Sequence, residues 1–175
     1  MNGFGSTNGR HFDLLITNAT IVDTALHTTY HGWLAVSDGR FVLVEAGDPW
    51  QAHSARNEIN LEGKTVLPGL VDSHMHIESS LLTPRRFAEA ALSHGTTTVL
   101  ADPHEVANVA GIEGIEWMID SSRDLPMRIY QAIPSCVPAT DGSIEWTAHT
   151  IDKTAVEALR PHDEVIGLGE LMDYQ

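Results

Sequence analysis

Short apolar runs separated by turn residues fill the first third of the chain, and alternating strand and helix patterns fill the rest. Leu14-Leu15-Ile16 and Ala19-Thr20-Ile21-Val22 flank Asn18, and Trp33-Leu34-Ala35-Val36 and Phe41-Val42-Leu43-Val44 flank Ser37-Asp38-Gly39-Arg40. Asp-Gly between two apolar runs predicts a hairpin, because its two-residue turn needs positive φ at both positions. Residues 57–61 and 64–67 add two further strands. Residues 13–66 thus read as a small, incomplete all-β module of sandwich type. Residues 1–12, rich in Gly, Asn, Ser and Thr at the start, read as a flexible lead-in.

From residue 67 onward the period changes. Thr83-Pro84 supplies an N-cap and a first-turn proline for a helix over 85–94 that stops at Gly95. Thr96-Thr97-Thr98-Val99-Leu100 is a β-branched strand that runs into Ala101-Asp102-Pro103-His104-Glu105. Ile112, Ile115, Trp117, Met118 and Ile119 predict a helix to about residue 124, with residues 127–133 the next strand. Ala155, Val156 and Leu159 mark a helix stopped by Pro161, and Val165-Ile166-Gly167-Leu168 a fourth strand ending at Gly169-Glu170. Apolar strands alternating with helices form a parallel sheet with helices packed on it. A complete (β/α)8 barrel takes roughly 250 residues. The predicted fold class is therefore α/β: an incomplete TIM-like barrel of about four strands over 67–175, preceded by the all-β module.

All four strands end in chemically able side chains: His74 and His76; Asp102, His104 and Glu105; Ser135 and Cys136; and Glu170. Parallel strands share a direction, so these clusters fall on one rim, where barrel enzymes keep their chemistry. The apolar run 66–71 predicts a buried strand, and its alternation puts Asp72, His74 and His76 on one face. Two imidazoles about 6–7 Å apart on such a face can converge on one metal ion. Asp72 is placed to orient a histidine. Glu78 is either a substrate or metal contact or a solvated loop acid, and Asp102, His104 and Glu105 are extra ligands or supports for the ligands. Cys136, as a lone thiol, reads as packed, and Trp33, Trp50, Trp117 and Trp146 read as core or packing residues.

Charge narrows the partners. Twenty-four acidic against ten basic residues give a net charge of −14, which argues against nucleic acid or an anionic membrane. The single cysteine, Cys136, excludes an intrachain disulfide and fits a reducing compartment. The first ten residues lack the apolar core of a signal peptide, and no run approaches the roughly 18 apolar residues of a membrane helix. A cytoplasmic protein is expected.

Five stretches carry a resemblance: residues 68–76, Ile77-Glu78-Ser79-Ser80, residues 101–105, residues 134–140 and Gly167-Leu168-Gly169-Glu170. In that order they resemble the adenine deaminases of the amidohydrolase superfamily. The resemblance implies metal-dependent hydrolytic deamination of adenine to hypoxanthine and ammonia. It implies a binuclear divalent centre of Mn2+, or of Fe2+ or Zn2+, with His74 and His76 as first-strand ligands. Glu170 matches the fourth-strand carboxylate that bridges the metals, and Ser135 and Cys136 match a loop near the substrate. Family members continue further, adding two histidine ligands, an eighth-strand aspartate as general base, and strands that complete the β-module. The chain is therefore expected to be an N-terminal portion, inactive alone, whose partner is a complementing second half or another copy of itself. Two alternatives stay open: another amidohydrolase acting on a cyclic amide, and a non-catalytic metal-binding fragment.

Overall fold

A computed structural model describes residues 10–140 and 144–172. The Asp38-Gly39 turn forms as the pattern requires, with φ of 52° and 69°. It joins β2 (Thr28–Ser37) to β3 (Arg40–Ala46). With β1 (His11–Asp23), β4 (Ser54–Asn60) and β5 (Thr65–Val66), they make a five-stranded sheet in the order β3-β2-β1-β4, with β5 also pairing β1. The runs around Asn18 are not two strands but one. Asn18 takes a positive φ of 53° and the register with β2 shifts there, so the chain bulges and continues. Asparagine tolerates that conformation better than most residues, and its amide bonds to Asn60 Oδ1 at 3.1 Å. The strand also starts inside the expected lead-in, because Phe12 buries with Leu15, Trp33 and Ala35; residues 1–9 of that lead-in lie outside the described residues.

The chain divides into two compact units, Met1–Pro68 and Gly69–Gln175. The second contains β6 (Leu70–Met75), a 3-10 turn (Glu78–Ser80), α1 (Pro84–Leu92), β7 (Thr96–Ala101), α2 (His104–Ser122), β8 (Arg128–Ile133), α3 (Lys153–Leu159) and β9 (Val165–Leu168). Its four strands are all parallel, in the order β6-β7-β8-β9. The helices between them make this the repeating unit of a (β/α) barrel.

Local chemistry sets most of the boundaries. Pro84 opens α1, although Thr83 makes no side-chain cap bond. Asp152 caps α3 by accepting from Ala155 N–H at 2.9 Å. α2 begins eight residues before the apolar period that predicted it, and bends at Gly111, whose φ and ψ are 60° and −142°. The core lies on the helix side of the inner strands: Val99, Ile129 and Met118 form one cluster, and Ile115, Ile119, Ile133 and Leu159 another.

Two further expectations, both about burial, fail. β6 is not a buried strand: Leu70 and Val71 are 53% and 67% exposed. β6 and β9 are the outer strands of this sheet, so each is covered on one flank only among the described residues, whereas β7 and β8 bury Val99, Ala101, Ala132 and Ile133. Of the four tryptophans, Trp33 alone is core; Trp50, Trp117 and Trp146 are half or more exposed.

Candidate metal centre

β6 carries His74 near its end, and His76 follows one residue past it; Glu170 lies two residues beyond β9. The two imidazoles meet edge to face, their centroids 4.9 Å apart. Each turns Nε2 toward the same carboxylate: His74 to Glu170 Oε2 at 3.6 Å, His76 to Glu170 Oε1 at 3.3 Å. One ligand atom from each residue lies within 4.8 Å of the others. A tetrahedral ion with bonds of about 2.1 Å places its ligand atoms about 3.4 Å apart, so these donors fit such an ion.

The backbone fixes which nitrogen of His76 is available. His76 Nδ1 is 2.6 Å from the carbonyl oxygen of Asp102. A carbonyl only accepts, so the proton sits on Nδ1 and the lone pair on Nε2 faces Glu170. Glu170 is held from both sides. Its N–H donates to Asp102 Oδ2 at 2.9 Å, and its carbonyl accepts from Ser135 Oγ–H at 2.7 Å and from the Cys136 thiol at 3.2 Å.

Asp102 is wholly buried. Its other oxygen lies 2.6 Å from His104 Nδ1, a close contact that is not aligned as a hydrogen bond. At that distance a buried carboxylate attracts an imidazolium whatever the alignment. Burial opposes protonation of His104, but Asp102, with Cys136 beyond it, outweighs this and pushes its pKa up to about 9. Glu78 Oε1 accepts from the N–H groups of Glu105 and Val106 at the start of α2. Burial pushes Glu78 up to about 7 against those bonds, with the Glu105 carboxylate adding to the rise. Glu105 is held below the usual carboxylate range: burial raises it, and the Ser79 hydroxyl, donating at 2.8 Å, leads the groups that more than offset this.

Two other groupings also have metal-like spacing, His76 with Asp102 and His104, and His76 with Glu78 and Glu105. Each would draw on groups with other contacts. His76 Nδ1 bonds the Asp102 carbonyl, the Asp102 carboxylate accepts from Glu170 N–H and lies against His104 Nδ1, and Glu78 Oε1 holds the start of α2. The His74, His76 and Glu170 set offers both imidazole Nε2 atoms and a carboxylate on an open rim. Asp72, expected to orient a histidine ring, accepts instead from the His74 backbone N–H at 3.2 Å.

Residues 65–175 match the amidohydrolase family model. The chain belongs to the amidohydrolase family. Within it, the chain is 41% identical over 162 residues to adenine deaminase of Halalkalibacterium halodurans and 44% identical over 163 residues to that of Nitratidesulfovibrio vulgaris, covering 93% of this chain each time. Adenine deaminase of Staphylothermus marinus is 42% identical over 174 residues, or 96% of the chain. The chain spans 27–29% of the length of these relatives. Atrazine chlorohydrolase of Arthrobacter aurescens, solved with zinc, superposes with a TM-score of 0.60 at 18% identity, over 89% of this chain and 46% of that one. D-aminoacylase superposes at 0.52 with 24% identity, over 70% and 29%. At that identity the two structures share the amidohydrolase fold with this chain and nothing finer.

One residue of this amidohydrolase rim escaped the sequence reading. Gly169 packs on the Asp102 carboxylate so closely that an added Cβ would fall 2.0 Å from Oδ2. A glycine next to a rim glutamate was the only available signal, and it reads equally well as a strand terminator.

Proposed function

We propose that this chain carries the first part of a divalent-metal site for the hydrolytic deamination of adenine to hypoxanthine and ammonia. The observation that carries the reading is the convergence of His74 Nε2, His76 Nε2 and both Glu170 oxygens. The likeness to adenine deaminases supports the substrate. A divalent ion held by the three side chains would supply activation of water at neutral pH. Two imidazoles and a carboxylate without thiolate suit Mn2+, Fe2+ or Zn2+, and we assign Mn2+ first.

The residues around the ligands orient rather than react. The Asp102 carbonyl keeps His76 in the tautomer that exposes Nε2. Ser135 and Cys136 hold the Glu170 backbone so that its carboxylate faces both imidazoles. Glu78 and Glu105 anchor the start of α2 beside His76. No general base is assigned among the described residues. β6 and β9 pair on one side only among the described residues, which supports further strands joining the sheet from a second copy or a complementing partner. Cys136, buried as a free thiol, is compatible with a cytoplasmic location.

The test is a chimera in which residues 10–172 replace the aligned segment of the Halalkalibacterium halodurans enzyme. With Mn2+ it is expected to release ammonia from adenine, and Glu170→Gln to lower kcat at least about 100-fold. A folded, metal-loaded chimera that leaves adenine untouched overturns the assignment.

A further inference from the structure

Asp102, His104 and Cys136 line up like a nucleophile triad: carboxylate to imidazole 2.6 Å, imidazole Nε2 to Sγ 3.5 Å. The sulfur, however, is engaged. It donates to the Glu170 carbonyl and accepts from Met172 N–H at 3.3 Å, so this row of buried groups clasps the chain at 170–172 rather than facing a reactant. At the centre of the clasp stands Asp102. Its N–H donates to the Met75 carbonyl at 2.8 Å, tying the end of β7 to the end of β6. Its carbonyl takes the His76 Nδ1 proton, and its carboxylate takes the Glu170 N–H. Gly169 leaves room for that carboxylate.

We propose that Asp102 is the positioning residue of the metal site, orienting two of the three ligands at once, His76 through its carbonyl and Glu170 through its carboxylate. The inference rests on the reading of His74, His76 and Glu170 as ligands. A carboxylate that is wholly buried, with one oxygen on a backbone N–H and the other 2.6 Å from an imidazole, cannot turn to coordinate an ion without leaving the N–H unpaired and giving up the charge contact. Its effect on the metal therefore passes through the ligands, and groups of this kind are worth about 10–100-fold in metal affinity. Gly169 gives an independent handle. A methyl there keeps every polar group but forces the Asp102 carboxylate away from the Glu170 N–H.

The experiment measures the affinity of the metal-free 175-residue chain for Zn2+ and Mn2+ by competition with a chromophoric chelator, beside thermal unfolding of each metal-free variant. Asp102→Ala and Gly169→Ala are each expected to weaken binding about 10–100-fold. Asp102→Asn, which keeps an oxygen to accept the Glu170 N–H, is expected to restore it to within a few-fold of native. A general loss of packing would lower the unfolding midpoint of Asp102→Ala and Asp102→Asn together without separating their affinities. Where Asp102→Ala fails to fold, Gly169→Ala against Asp102→Asn decides. Native affinity in both Asp102→Ala and Gly169→Ala, or equal weakening in Asp102→Asn and Asp102→Ala, overturns the proposal. Glu170→Gln and His74→Ala test the underlying reading separately: if they bind metal as the native chain does, the ligand set itself is wrong.

Discussion

Glu78 is a carboxylate whose ionisation the fold opposes by burial. One oxygen accepts from the first amides of α2, while the other is buried without a partner. Burial, the leading cause, lifts its pKa from 4.5 to about 7. The folded metal-free chain therefore binds this proton more tightly than the unfolded one. Its contribution to stability is complete below pH 4.5 and is lost as pH rises through about 7. Glu78→Gln keeps an acceptor for the amides and removes the titration. Urea unfolding between pH 4.5 and 8 should show the native chain losing about 1–3 kcal/mol relative to the variant, the lower figure reflecting partial solvent screening. Parallel pH profiles for the two proteins would contradict this account of Glu78. That His74 and His76 turn toward one point was legible because a strand's two-residue period is a local property. The contacts of Asp102 with Glu170 were not, since they join residues 68 positions apart.

At the scale of elements, what is local could be read and what is tertiary could not. The Asp38-Gly39 turn, the proline at the start of α1 and the glycine after it follow from the φ each residue allows. The start of α2 was hidden because its first turn, His104-Glu105-Val106-Ala107, opens on two polar residues and sends only Val106 and Ala107 to the core, too few to show an apolar period. The exposure of β6 was hidden because a strand's burial is decided by its neighbours, not by its own composition. Two substitutions probe these elements. Asp152→Ala removes the cap of α3 and should cost about 1 kcal/mol in urea unfolding. Gly111→Ala should cost more, about 1–3 kcal/mol, because its φ is 60° and the added methyl meets the His149 ring at 2.9 Å. A neutral Gly111→Ala would mean that α2 is not bent there.

At the scale of the molecule, the candidate centre exists only when β6 and β9 stand in one sheet. Its donors come from residues 74, 76 and 170, joined through β7 and β8. An unfolded chain holds His74 and His76 near each other but not Glu170, so the ion should bind the folded state in preference and stabilise it. Linkage sets the size: about 2.7 kcal/mol at a free metal concentration 100 times the dissociation constant. The most direct measurement is the thermal unfolding midpoint of the native chain and of Glu170→Gln, each titrated with Mn2+ and Zn2+. A metal-dependent rise in the native chain that is lost in Glu170→Gln is the predicted result. Equal rises in both proteins, or none in the native chain, would contradict a centre built from His74, His76 and Glu170.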